Sequence, residues 1–265
     1  MDGTNDVACL WRLAGSIGEL ASTVVAGRVD VDRPNRGLHK LRISDRDHSG
    51  QLLCVERDAD PDVSRSLHSR KPSPWPLALK DAYVRATDLV AGYNATDDWP
   101  YSPQIYWSAG PLYSIDGVLG SLSMIVSVQT HLLDTWPRIA ASSQLACKEI
   151  LRVKASGGRD AISEPLAPND AIASSTEPCC IVRRLSDAPI SYAEIMLASD
   201  FRDVIYMRGG AGECGLNWTL FSEFMEKGVI RRARLVSAFL PRENDLKLTA
   251  ACCKYVEHSP PPLTT

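Results

Sequence analysis

The chain has 265 residues, enough for one large domain or two small ones, and its 45 % hydrophobic and 23 % charged side chains exclude global disorder. A formal net charge of −3 offers no basic excess of the kind that nucleic acids or anionic membranes reward. No apolar run is long enough to span a bilayer, and Asp2 and Asp6 stand where a signal peptide carries positive charge, so a soluble cytoplasmic protein is expected, with neither nucleic acid nor membrane as partner.

Val24–Val31, Leu38–Ile43 and Gln51–Glu56 read as strands, from their β-branched residues and partial alternation. The polar, proline-rich stretch Asp58–Pro76 reads as a loop. Asp81–Tyr93, Gln104–Trp107 and Gly117–Gln129 are strand-like, and Ile139–Leu151 fits a helix. Lys154–Pro178 is rich in Gly, Ser, Ala and Pro and is the expected linker between an N-terminal half, 1–153, and a C-terminal half, 179–265. The second half repeats the order with strands over Tyr192–Met207, Asn217–Glu226 and Val229–Leu240. A helix over Glu243–Val256 follows, where Pro241 precedes an acidic first turn and Leu246, Ala250, Cys253 and Val256 recur at helical spacing.

The two halves also match in letters. Lys80–Asp88 lies over Tyr192–Asp200, and Gly117-Val118-Leu119 over Gly228-Val229-Ile230, at 29 and 28 residues from the respective Asp. The expected fold is therefore α+β and β-rich, a predominantly antiparallel sheet with few helices, built from an internal duplication of a strand-strand-strand-helix unit. The halves either form two domains or close on each other as one.

Four segments carry residue types from which a site could be made. Asp45-Arg-Asp47-His-Ser49-Gly50 with Glu56 resembles an EF-hand calcium loop, with oxygen ligands at positions 1, 3 and 5, glycine at 6 and glutamate at 12. Its flanks lack the two helices, and a β-hairpin with a polar turn accounts for the same letters. Gly210-Ala-Gly212-Glu-Cys-Gly215 resembles the dinucleotide-binding fingerprint, which implies an NAD(P) phosphate at a helix start. The next strand, however, carries Arg231, Arg232 and Arg234 with no acidic residue to take the ribose hydroxyl, and a glycine-rich hairpin is the simpler reading.

Asp97, Asp98, Trp99, Tyr101, Gln104, Tyr106 and Trp107 form the densest aromatic region, suited either to a sugar-like ligand or to packing at a strand entry. Asp88 and Asp200 recur at matching points of the repeat, as an acid–base pair or as side chains that bond local backbone. The eight cysteines contain no C-x-x-C and are expected as free, packed thiols. The expected function is that of a non-catalytic ligand-binding or protein-interaction module, without cofactor. The alternatives are an enzyme acting on a small polar or sugar-like substrate by carboxylate chemistry, and a calcium-stabilised protein.

Overall fold

The computed structural model describes residues 10–57, 75–137, 139–154, 161–221 and 224–259. The first strands are β1 (Leu10–Ala14), β2 (Ile17–Ala21), β3 (Val25–Asp30), β4 (Leu38–Ile43), β5 (Arg46–His48) and β6 (Gly50–Arg57). Next come β7 (Leu79–Arg85), β8 (Asp88–Tyr93), β9 (Tyr101–Ala109), β10 (Gly120–Thr130), β11 (Ile139–Lys154) and β12 (Ile162–Pro165). The last are β13 (Ala171–Ala173), β14 (Cys179–Leu185), β15 (Ile190–Met196), β16 (Phe201–Arg208), β17 (Glu213–Leu220) and β18 (Ile230–Pro241), followed by a helix, α1 (Asp245–His258). Every strand pairing is antiparallel, so the β-rich, helix-poor expectation holds. Among the described residues, no helix is long and apolar enough to cross a membrane.

The strands form two layers that share one strand. In the first, β1, β2, β3, β4, β6, β11, β17, β16 and β13 lie side by side, with β5 folded back on β4. In the second the order is β7, β8, β9, β10, β18, β15, β14, β11 and β12. The Ile139–Ala146 part of β11 pairs with β17, and Cys147–Val153 pairs with β14, so β11 passes from one layer into the other. In the second layer the strands from residues 79–130 and those from 179–241 form two contiguous blocks joined by the long β10–β18 pairing.

Side chains facing inward from both layers make one apolar core, including Trp11, Val29, Leu41 and Trp218 from the first and Leu89, Trp107, Val126 and Phe239 from the second. Polar ties cross it. Tyr93 donates to the Val31 carbonyl (2.6 Å) and Trp107 Nε1 to that of Leu53 (3.1 Å). Arg183 on β14 and Glu194 on β15, both fully buried, pair at 2.8 Å. Trp218 Nε1 on β17 donates to the other oxygen of Glu194 at 2.7 Å, and Arg183 also donates to the carbonyls of Ser143 and Cys214. The outer face of the second layer is covered over part of its area by α1, whose Cys252, Cys253 and Val256 pack on Cys180, Val182, Ala193, Ile195, Val236 and Ala238.

Two expectations are corrected, the helix at Ile139–Leu151 and the wholly free cysteines, and the duplication is not confirmed. Ile139–Leu151 is not a helix but most of β11: its Ala, Leu, Lys and Glu residues favour helices locally, yet the segment is paired on both edges and largely buried on both faces, and tertiary context overrides propensity. The aligned repeat segments stand in non-equivalent places. Asp88 begins the return strand of the β7–β8 hairpin within one layer, whereas β15 and β16, on either side of Asp200, belong to different layers. The cysteines are not all free, because Cys147 and Cys214 form a disulfide where β11 leaves the first layer; Cys54, Cys179, Cys180, Cys252 and Cys253 are buried thiols.

Candidate ligand-binding cleft

The sequence-derived candidates separate once folded. Ser44 and Asp45, at φ 48° and 63°, are the two central residues of the β4–β5 hairpin, the left-handed pair that a tight hairpin needs. Asp45, Asp47 and Ser49 are exposed there, whereas Glu56 lies along β6 and accepts a hydrogen bond from Ser142 Oγ at 2.7 Å. Gly50 serves packing: its φ is +132°, and a Cβ would stand 2.3 Å from the Gln144 carbonyl oxygen on β11. Among the described residues no three His, Cys, Asp or Glu side chains are grouped to hold a metal. Gly210–Gly212 is a short 3-10 turn between the antiparallel strands β16 and β17, so the fingerprint opens a strand and offers no helix N-terminus for an NAD(P) phosphate.

The aromatic region is divided by the two-residue period of β9. Tyr101, Ile105 and Trp107 point into the core, and Gln104 and Tyr106 point outward, bonded to each other at 2.6 Å. Trp99 is 2 % exposed and stacks edge-on against Trp75 and Tyr101. Asp97 and Asp98 remain on the surface. Trp99, Tyr101 and Trp107 therefore lie in the core, apart from Gln104 and Tyr106 on the outer face of β9.

A cleft of about 430 Å³ lies elsewhere, on the outer face of the second layer where α1 ends. Its floor follows from the strand register: Ser108 on β9 faces Ser123 on β10, which faces Val236 on β18, and one step along the strands Ile125 faces Arg234. One wall is the turn Gly110–Tyr113, held by the Leu112 amide donating to Ser121 Oγ, with Tyr113 86 % exposed at the rim. The other is the last turn of α1, with Tyr255, Val256 and Ser259.

The helix is fixed at its far end. Arg184 Nε and Nη2 clasp the Asp245 carboxylate at 2.8 and 3.1 Å, and Ser191 donates to it at 2.7 Å. Burial alone would raise the Asp245 pKa, but these bonds outweigh it and hold the group below the usual carboxylate range.

Arg234 dominates the cleft electrostatically. Its Nη2 donates to the Val256 carbonyl at 3.1 Å, capping the end of α1, and its Nε is buried without a hydrogen-bond partner. Burial lowers its pKa, with partial compensation from Asp200 and Tyr255, and an arginine remains charged under such a shift. Asp200 does not pair with the guanidinium. β15 stops pairing with β18 at Met196–Leu235, and Asp200 Oδ2 accepts the next β18 amide, that of Arg234, at 2.9 Å. Its Oδ1 accepts Ser199 Oγ at 2.8 Å. Burial raises the Asp200 pKa against the opposing pull of these bonds. Asp88 reaches the opposite rim through Thr87, which lines the cleft and donates to it at 3.5 Å. The described residues lining the cleft include no carboxylate.

Sequence reading missed Arg234, Tyr255 and the turn at Gly110, because the cleft gathers residues from 87 to 259 through strand register rather than local pattern. Arg234 is the last of three arginines at the start of β18, after Arg231 and Arg232, and no local pattern sets it apart from them.

No protein-family model and no curated protein sequence matches the chain. Among solved structures, it is similar to a putative aldose 1-epimerase from Klebsiella pneumoniae subsp. pneumoniae MGH 78578, at 7 % identity and a TM-score of 0.47, over 96 % of this chain and 90 % of that one. It is also similar to the GH36 alpha-galactosidase AgaA from Geobacillus stearothermophilus, at 12 % identity and a TM-score of 0.42, over 88 % of this chain and 40 % of that one. Likenesses at this level say nothing of what this chain binds.

Proposed function

We propose that the chain is a non-catalytic binding module for a small organic anion, a carboxylate on an apolar or ring-shaped body, held in the cleft between the second layer and α1. The observation that carries this reading is the Arg234 guanidinium, partly desolvated and with its Nε unspent, in a cleft whose described lining has no carboxylate. A planar guanidinium suits a carboxylate, Tyr113 and Tyr255 suit a flat body, and Thr87, Ser108, Ser123 and Ser259 place hydroxyls around it. The volume lies within the range of small-molecule sites.

The rival reading, acid–base chemistry on a sugar-like substrate by Asp88 and Asp200, has one observation in its favour, the raised pKa of Asp200 beside Arg234. Against it, both Asp200 oxygens are engaged and neither aspartate lines the cleft. The cytoplasmic expectation has the Cys147–Cys214 disulfide against it, since such bonds persist where the surroundings are oxidising.

The test is thermal stabilisation by a matched panel: a hexuronate and benzoate against glucose and benzyl alcohol, each at millimolar concentration. Binding to the folded state raises the melting temperature. The acids are expected to do so and their neutral counterparts not, and Arg234→Gln is expected to abolish the difference. A chain that responds to none of the acids, or equally to acid and neutral partner, refutes the proposal.

A further inference from the structure

The second layer ends on β7, which pairs with β8 on one side and, among the described residues, with no strand on the other. Two other border strands, β12 and β13, have four and three residues, and β12 closes on Pro165, which are ordinary ways of blunting an edge. β7 has seven. Its regular stretch is Asp81–Arg85, bounded by the bulge between Leu79 and Asp81 and by the turn Ala86-Thr87, and Tyr83 is its midpoint. The hairpin turn has two residues, with Ala86 at φ 50°, so Arg85 and Asp88 form a hydrogen-bonded pair and Tyr83 and Val90 the next one. The N–H and C=O groups of Ala82 and Val84 therefore point to the open border. Side chains alternate as well: Ala82 and Val84 pack towards the core, while Asp81, Tyr83 and Arg85 are exposed on the outer face.

We infer that β7 pairs antiparallel with β7 of a second copy of the chain, about a two-fold axis through Tyr83, joining two second layers into one sheet. In that register Ala82 exchanges both backbone hydrogen bonds with the partner's Val84, and Val84 with the partner's Ala82, so the open groups are satisfied. On the inner face the same apolar residues meet across the seam. On the outer face Tyr83 meets the partner's Tyr83 in a non-hydrogen-bonded pair, where side chains lie closest. Asp81 faces the partner's Arg85, and Arg85 faces the partner's Asp81.

Neither Asp81 nor Arg85 has an ion-pair partner among the described residues. Within the hairpin Arg85 stands opposite Asp88, so the seam carries a row of alternating charge: Asp88, Arg85 and the partner's Asp81. Charges on an edge usually keep like strands apart. Here opposite charges stand at equal distances from the midpoint, and the strand is complementary to its own copy. Moving the axis to Ala82 or Val84 drives the pairing into the bulge or the turn and sets Tyr83 against Asp81 or Arg85. A two-fold axis perpendicular to the sheet preserves its faces, so both clefts open on one side.

The experiment is sedimentation velocity on the full chain from low micromolar to sub-millimolar concentration. A concentration-dependent shift from one chain mass to two is expected. Asp81→Arg and Arg85→Asp each bring like charges together twice across the seam, and each is expected to weaken the dimer about tenfold or more. Both sites are exposed, so melting curves of the dilute variants are expected to match the parent. Mixing the two single variants is expected to restore the dimer, since each supplies the charge that the other faces. The double exchange Asp81→Arg with Arg85→Asp is expected to restore it within one chain. The inference is overturned if the chain stays a monomer throughout, if either single variant dimerises like the parent, or if the mixed variants remain apart. No ligand enters these readouts, so the seam and the anion cleft stand or fall separately.

Discussion

Removing the carboxylate of Glu194 should be among the most damaging single changes in the molecule. Arg183 and Glu194 have fully buried side chains, paired at 2.8 Å, and the carboxylate also receives Trp218 Nε1 at 2.7 Å. The Arg183 guanidinium lies over the Tyr192 ring, 4.9 Å from its centroid. Because β14 and β15 belong to one layer and β17 to the other, the cluster ties the layers together. Glu194→Gln keeps the shape but supplies one acceptor where two donors now point, and it leaves a cation without its counter-ion in a dry interior. Breaking a buried pair from one side costs about 3–5 kcal/mol, a large share of the roughly 5–15 kcal/mol that holds a typical protein folded.

The assay is a double-mutant cycle by urea denaturation with Glu194→Leu, Arg183→Met and the double variant. Each single change should cost about 3–5 kcal/mol. The double should cost far less than their sum, because no charge remains and the main debt is the unpaired Trp218 N–H, about 1–3 kcal/mol. Additive costs, or a Glu194→Leu cost below about 1 kcal/mol, would falsify the claim that the charges are desolvated and mutually dependent.

Asp200 has a folded-state pKa raised by burial, so its contribution to stability is present at low pH and is lost as pH rises from the unfolded value of about 4 through the folded one. Asp200→Asn, which can still accept the Arg234 amide, should therefore match or exceed the parent by up to about 1 kcal/mol at pH 7, with the difference closing below about pH 4. Melting curves from pH 3 to 8 would contradict this if the variant were weaker at neutral pH. Asp245 has the opposite sign: its lowered pKa gives stability that is present above about pH 4 and lost as pH falls through the folded value. Asp245→Asn should lose about 2 kcal/mol at pH 7 through the weakened Arg184 clasp, and hydrogen exchange should locate the loss in α1. An unchanged α1 would refute the anchoring role.

Strand after strand was legible from β-branched runs, and α1 from its acidic start and helical spacing, since these signals are local. β11 was not, because its Ala, Leu, Lys and Glu residues carry helical preference while its conformation is dictated by partners on both edges. The polar hairpin after β4 was readable, although the turn proper is Ser44-Asp45 and Gly50 owes its place to the Gln144 carbonyl, 94 residues away in sequence. The aromatic stretch offered no way to know which face of β9 would be buried, and three of its seven candidates, Trp99, Tyr101 and Trp107, turned inward. The cleft was hidden for the same reason: Ser108, Ser123 and Val236 become neighbours through register, which no single segment encodes.

A strand that changes partners midway works like a spar common to two wings. Because β11 completes the first layer with one end and the second with the other, neither wing retains its full set of edges if the spar is cut. The chain should then have no excisable half: fragments divided at 153/179 would each expose a raw strand border and aggregate, and heating should release both wings in a single cooperative step.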